Sequence, residues 1–348
     1  MGAPDRPVFV IGCPRSGTTM LQLMLHSHPR IAVPPETRFL IQAYHARRSH
    51  GDMRRPDNRR RLAQWVAGGR DTKFRELGLD RAEYVQHAVA APGTLGSVLG
   101  TVFRDYAARF GKPRWGDKRP SYFKHVGMLL RLFPDAQFIH LVRDGRDCVA
   151  SLMEMPWYRL DAYHAMANWA EAVDFGRHHA ATLPGGSYYE LRYEDLTADP
   201  EQSLRRLCGF IGEEFDPAMC EPRHVAQVAV PAHKVWHANT HSAVTTARSG
   251  SWAGRLEPWQ ISLCETVLGS RLEAHGYELS GAAPATRDHR LAYRTTAARR
   301  RAARLKRTGR ERLSRLWEPG PIPALLTTGQ RALSGLPPLP QHQLVESS

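Results

Sequence analysis

Val8-Phe9-Val10-Ile11-Gly12-Cys13-Pro14-Arg15-Ser16-Gly17-Thr18-Thr19 carries more information than any other stretch of this chain. Its first four residues are a continuous apolar run that stops at Gly12 and Pro14, which predicts a strand buried on both faces of a parallel sheet. Thr18 to His28 carries Met20, Leu21, Leu23, Met24 and Leu25 on nearly all sides of its middle turns, which predicts a buried helix stopped by Pro29. The turn between them has the spacing G-x-x-x-x-G. Backbone N–H groups in such a turn, together with the start of the helix, form an anion cradle. A nucleotide triphosphatase would follow the second glycine with Lys and then Ser or Thr. Here Thr18 stands in the lysine position, and Arg15 inside the loop offers a bidentate cation instead. A turn that merely needed glycines has no use for Arg15, Ser16, Thr18 and Thr19, all donors to oxyanions.

Further along, Ser121 to Phe133 repeats Tyr122, Val126, Leu129, Leu130 and Phe133 at helical spacing, and Pro134 ends it. Phe138-Ile139-His140-Leu141-Val142 reads as a second buried strand. Helices are predicted over 146–155, 163–181, 200–211 and 258–275, with a strand over 187–191 and Gly276 as the final stop. Strands alternating with helices give an α/β chain: a P-loop-like three-layer fold with a central parallel sheet and helices on both faces. Residues 1–283 form the expected domain, with a polar, helix-leaning insertion over about 44–112. Residues 284–348 form a basic, Pro-rich C-terminal extension.

The charge is concentrated in that extension. The 348 residues carry a net charge of +14, and the stretch from Arg287 to Arg315 alone holds twelve basic residues against Asp288 and Glu311. It is rich in Ala and Arg with leucines interspersed, so a helix is predicted. The stretch after Trp317, punctuated by Pro319, Pro321, Pro323, Pro337, Pro338 and Pro340, is expected to be loose. Two readings of 287–315 stand side by side: peripheral contact with an anionic membrane or nucleic acid, and a solvated extension. Few aromatic residues for base stacking lower the nucleic-acid option. No apolar run reaches the roughly 18 residues of a membrane span, and the opening residues do not read as a secretory signal. The five cysteines are odd in number and share no C-x-x-C spacing, so reduced thiols in a cytoplasmic, or membrane-peripheral, protein are expected.

At Pro14-Arg15-Ser16-Gly17-Thr18-Thr19 the chain resembles sulfotransferases that use 3′-phosphoadenosine-5′-phosphosulfate (PAPS), at their 5′-phosphosulfate loop. The likeness continues at His28-Pro29 and Pro35-Glu36-Thr37-Arg38. It resumes at Trp115-Gly116-Asp117-Lys118-Arg119-Pro120, at Leu132-Phe133-Pro134, at Val142-Arg143-Asp144-Gly145-Arg146 with Ser151, and at Tyr193-Glu194-Asp195-Leu196. It covers roughly residues 7–280, and among the branches of the family it is nearest to the tyrosylprotein sulfotransferases and their bacterial relatives.

The resemblance implies PAPS as sulfuryl donor, no metal, and a hydroxyl-bearing acceptor on a small molecule, glycan or lipid; a homodimer is compatible with it. It implies that Arg15, Ser16, Gly17, Thr18 and Thr19 hold the 5′-phosphosulfate and that Arg143 and Ser151 hold the 3′-phosphate. Tyr193 would touch the nucleotide. Glu36 would be the general base and Lys118 would stabilise charge on the bridging oxygen. Local chemistry agrees: Arg143 ends a buried strand, where open α/β sheets bind ligands, and Ser151 lies two turns into the next helix. A bland alternative exists for Glu36, a surface pair with Arg38, and for Lys118, a solvated lysine. Two departures from the pattern stand out. Met155 replaces an arginine of the tyrosylprotein enzymes. In the stretch Thr245 to Trp252, expected to close over the adenosine end with Arg248 and Gly250, Arg248 is out of step with the family's lysine. Competing readings are a nucleotide or small-molecule kinase with a degenerate phosphate loop, and a membrane or nucleic-acid binder working through the Arg-rich extension.

Overall fold

The computed structural model describes residues 6–222 and 245–325. Five strands, β1 (Val8–Gly12), β2 (Ile31–Ala32), β3 (Arg114–Lys118), β4 (Gln137–Val142) and β5 (Tyr188–Arg192), form one parallel sheet in the order β2-β3-β1-β4-β5. The chain leaves β1 for β2 and β3 on one side, then crosses back to β4 and β5 on the other. The C-terminal end of β1 is therefore a topological switch point, where crevices in open α/β sheets form.

Strand periodicity explains the two layers of core. Val8 and Val10 point into one cluster with Leu21, Leu25 and Ile139, while Phe9 and Ile11 point into the other. On that second side Phe9 meets Trp115, Tyr122, Phe133 and Phe138 at centroid distances of 5.7–6.0 Å. Both faces are covered, as a parallel sheet requires.

Helix α1 (Thr18–Ser27) follows β1 directly. The expected insertion is helical: α2 (Phe39–His45), α3 (Arg47–His50), α4 (Pro56–Gly68), α5 (Arg81–Ala90) and α6 (Leu95–Arg109). Then come α7 (Val126–Leu132), α8 (Gly145–Met153), α9 (Ala162–Thr182), α10 (Tyr193–Ala198), α11 (Pro200–Ile211), α12 (Pro258–Ala274) and α13 (Arg287–Ser314).

Three expectations are corrected. The single helix over 121–133 is two pieces, a 3-10 turn at Pro120–Lys124 and then α7, because His125 at φ −126° and ψ 12° leaves the helical region between them. Strand β3 was not anticipated; its sequence Arg-Trp-Gly-Asp-Lys has neither alternation nor β-branched residues. The stretch after Trp317 is not loose where it is described. Gly96 N–H donates to Ile322 O at 2.8 Å, Ala324 N–H donates to Leu132 O at 2.7 Å, and Ile322 and Ala324 are buried. Pro337, Pro338 and Pro340 lie outside the described residues. The extension from 284 is thus seated on the body over 287–325: α13 rests on α9, and its Glu311 reaches Tyr44 Oη (2.6 Å) and the buried Arg47 (3.3 Å).

Candidate active site

The turn after β1 is built for close approach. A Cβ on Gly12 would lie 2.5 Å from Leu141 O, and one on Gly17 would lie 2.5 Å from the Tyr193 ring, so both positions admit only glycine. Arg15 has φ 73°, a left-handed conformation rare for a side-chain-bearing residue and of the kind that collects at ligand-binding turns. Gly17 at φ 93° caps α1, and no side chain satisfies that helix start. Ser16 Oγ is buried and has no hydrogen-bond partner among the described residues. A ten-residue helix that opens without a side-chain cap beside a buried hydroxyl lacking a partner among the described residues has the donors an anion's oxygens could take.

Cations ring that helix start. Arg15 Nε donates to Ser151 Oγ at 3.0 Å, and Arg143 Nη1 donates to Arg15 O at 3.1 Å. The Arg143 guanidinium sits 4.6 Å above the Tyr193 ring, whose edge packs on Gly17. Among the described residues the buried Arg143 Nε has no partner, nor has Ser249 Oγ. Burial pulls Arg15 below the ordinary arginine value, and the neighbouring charges of Arg143 and Arg248 pull the same way. Like charges gathered at a half-buried turn, with donors to spare, are what a multiply charged anion would relieve.

A buried aspartate holds the far wall. Asp147, fully buried on α8, accepts from Gly250 N–H (2.9 Å), Ser251 Oγ (3.1 Å) and Trp252 N–H (2.9 Å), and lies 3.5 Å from Arg143. Arg146, fixed by Asp144 (2.8 Å) and Glu265 (2.6 Å), lies under the Trp252 ring at 4.0 Å. Sequence reasoning missed Asp147 and Arg146. The available signal was the four-residue spacing of Arg143 and Asp147 across the start of α8, which lets the two side chains meet. Arg248 reaches the site through its carbonyl, which accepts from Arg143 Nη2, while its side chain is exposed. Arg255, which sequence reasoning also missed, donates to Ser251 Oγ at 2.9 Å and pairs with Glu154 at 2.6 Å.

The acceptor side stands at the ends of β3 and β2. Lys118, expected to be either solvated or in the site, is buried; its Nζ lies 3.3 Å from Thr19 Oγ1 and 3.4 Å from Glu36 Oε2. Glu36 lies 3.9 Å from Arg119 on its other oxygen, so the alternative of a pair with Arg38 is replaced by a pair that faces the loop. Behind them, the buried Asp117 carboxylate accepts from Tyr122 Oη (2.7 Å), Thr37 Oγ1 (3.1 Å) and Lys118 N–H (2.9 Å). Burial pushes its pKa up to about 7, against those hydrogen bonds. It ties the segment carrying Glu36 to the strand carrying Lys118. The structure thus brings Arg15, Ser16, Gly17, Thr18, Thr19, Lys118, Glu36, Arg143, Ser151 and Tyr193 around one crevice, with Gly250 at its rim.

A profile of the sulfotransferase family matches residues 7–217. The chain belongs to the sulfotransferase family. It is 23% identical over 283 residues to a protein-tyrosine sulfotransferase of Drosophila melanogaster, covering 78% of this chain and 51% of that one. It is 26% identical over 212 residues to protein-tyrosine sulfotransferase 2 of Gallus gallus, covering 59% and 50%. The chain spans about half the length of these curated relatives. Among solved structures it is similar to the sulfotransferase domain of the Synechococcus PCC 7002 olefin synthase, with 25% identity, a TM-score of 0.56, and coverage of 80% of this chain and 97% of that one. The sulfotransferase domain from the curacin biosynthetic pathway gives the same TM-score at 21% identity, covering 80% and 100%, and bears on the fold alone. Among the described residues no helix is long and apolar enough to cross a membrane.

Proposed function

We propose that this chain transfers a sulfuryl group from PAPS to a hydroxyl acceptor. The observation that carries the reading is the set of orphaned donors, Ser16 Oγ, Arg143 Nε and Ser249 Oγ, gathered around an uncapped helix start within reach of the Lys118–Glu36 pair. The residues fit a bis-anionic nucleotide. Arg15, Ser16, Gly17, Thr18 and Thr19 would hold its 5′-phosphosulfate, and Arg143, Ser151 and Ser249 its 3′-phosphate. Gly250 and Trp252, pinned by Asp147, would border the adenosine. When bound, the donor supplies the sulfuryl group, whose sulfur bonds to the acceptor oxygen as its bond to the bridging oxygen breaks, leaving 3′,5′-ADP.

The protein's own part is positioning and electrostatics. Glu36 takes the acceptor proton. Lys118 places a positive charge beside Thr19, at the loop end where the leaving oxygen gains negative charge. Asp117 fixes the relation between base and cation through Thr37 on one side and Lys118 N–H on the other. The Lys118–Glu36 distance of 3.4 Å couples the two groups, so neither drifts from the loop before substrate arrives.

Calorimetric titration with 3′,5′-ADP in the presence of a chelator tests this. Wild type binds without metal. Arg15→Ala loses at least about 100-fold in affinity, the scale of one or two charge-assisted hydrogen bonds. Glu36→Ala keeps nucleotide affinity and loses turnover with PAPS. A chain that ignored 3′,5′-ADP but bound ATP with Mg²⁺ would sink the proposal in favour of a kinase.

A further inference from the structure

The twenty-eight-residue helix α13 has two unlike faces. One is seated on the body. His289 stacks on Trp259 at 4.4 Å and meets Tyr163 Oη at 2.8 Å, Arg300 pairs with Glu171 at 2.7 Å, Arg304 lies over Phe175 at 5.3 Å, and Glu311 reaches Arg47. These positions recur at helical spacing and fix the rotation of the helix about its own axis.

The opposite face therefore has a defined composition. Leu291, Ala298 and Leu305 lie in line at seven-residue intervals, directly away from the seated side; Leu313, about 80° round the helix from Leu305, and Leu316, in the 3-10 turn that follows, broaden the line into a band at its C-terminal end. The four leucines are 60–70% exposed, and Trp317 at the end of the line is 60% exposed. Single exposed leucines are ordinary; a line of them about 33 Å long on a docked helix is not. Arg294, Arg301 and Arg312 flank it on one side, and Arg299, Lys306 and Arg310 on the other. Of the twelve basic residues in this stretch ten are exposed, against one exposed acid, Asp288.

We propose that this leucine line, with its arginine flanks, docks α13 in the plane of an anionic lipid bilayer, the leucines entering the acyl boundary and the guanidinium groups meeting lipid phosphates. The pattern of a narrow apolar line between basic flanks is that of an interfacial helix. The competing occupants fit less well. A nucleic acid would place phosphates where the leucines stand, and the only outward aromatic is Trp317, since Tyr293 is turned inward. A second copy of this helix would set arginine flanks against arginine flanks. Lipid alone satisfies both the apolar line and its borders. Because Glu171, Arg47 and Tyr44 hold the inner face, the outer face is presented without folding on contact, and the whole body is carried to the surface with it.

Co-sedimentation of the full chain with vesicles tests the proposal. Binding is expected to phosphatidylglycerol–phosphatidylcholine vesicles and not to phosphatidylcholine alone, and to weaken as salt rises. The pair Leu291→Asp and Leu305→Asp, and separately the triple Arg294→Glu, Arg301→Glu and Arg312→Glu, should each weaken it at least about tenfold. All these residues point outward, so melting temperature and 3′,5′-ADP affinity should hold. If either set melts early, Leu305→Gln alone replaces it and should still weaken binding several-fold. No binding to anionic vesicles, or leucine variants that bind like wild type, overturns the proposal. So does tighter binding to a duplex oligonucleotide that is indifferent to the leucine substitutions. None of these outcomes touches nucleotide binding, so failure here is separate from failure of the sulfuryl-transfer reading.

Discussion

At the residue scale the candidate site is held together by groups that stand behind its donors. Asp147 is one. Three donors from residues 250–252 converge on its two oxygens, and its charge stands beside Arg143. Each such charge-assisted bond contributes roughly 1.5–3 kcal/mol when buried. Asp147→Ala removes the acceptor and leaves Arg143 without its partner on α8. The expected result is 3′,5′-ADP affinity lower by about tenfold to 100-fold, because the wall must be ordered at the moment of binding. Titration against wild type reads this directly, and unchanged affinity would show that residues 250–252 do not border the nucleotide. The loop itself was legible in sequence because Arg15, Ser16, Gly17, Thr18 and Thr19 are contiguous and their chemistry is local. Asp147 and Asp117 were not, because an aspartate announces nothing until its donors, here more than one hundred residues away for Asp147, are known.

At the element scale β3 shows what a sequence pattern conceals. Two of its five residues are Arg114 and Lys118, yet all five are buried. Arg114 is satisfied by Arg6 O, Ile211 O, Glu213 and Gln137, four partners remote in sequence, so a charged residue sits in a central strand with its donors used. Periodicity cannot report that. The same limit hid the break at His125 inside an otherwise helical pattern. The buried strands β1, apolar throughout, and β4, apolar but for Gln137 and His140, were plain. Helix α13 was foreseen as a helix, but its seating was not, since Glu311 and Arg300 gain meaning only beside Arg47 and Glu171. A testable consequence follows for truncation after Thr286. It strips Arg47 and Tyr44 of Glu311, Arg131 of Glu318, and Trp259 of the stacked His289. The shortened chain should melt at least about 5 °C lower by differential scanning fluorimetry, while binding 3′,5′-ADP below its melt. Unchanged melting would mean that α13 does not rest on the body.

At the scale of the whole molecule, burial of histidine sets the response to acid. His26, His125, His140 and His179 are each pulled down from 6.5 to about 4, first by burial. Charged neighbours add to this: Lys112 beside His26, His45 beside His125 and His178 beside His179. His140 also has Glu190 acting the other way. Below pH 6.5 the unfolded chain takes up protons at these four positions, and the folded chain does not until about 4. Their contribution to stability is complete above 6.5 and is lost as the pH falls toward 4. Among the described residues four groups oppose them, and two of these, Asp105 and Glu194, are carboxyls that burial pushes up. Asp117, pushed up to about 7, is protonated in the fold over a range where it is ionised in the unfolded chain. His275, raised first by its hydrogen bond to Glu190, also favours the fold as protons are added. Paired carboxylates such as Glu171 and Glu311, held low by Arg300 and by Tyr44 and Arg47 against burial, side with the four histidines near pH 4. His45 and His50, also pulled down first by burial, join the four histidines, and six histidines with the paired carboxylates outweigh the four opposing groups: melting temperature should fall by at least about 5 °C between pH 7 and pH 4.5. His140→Gln can keep a hydrogen bond to Tyr188 Oη while removing one of these titrations. Its melting curve should therefore be flatter over that window than that of wild type, whatever its absolute stability at pH 7. A wild-type melt that rose on acidification, or a His140→Gln profile parallel to it, would show that these rings titrate in the fold as they do in water.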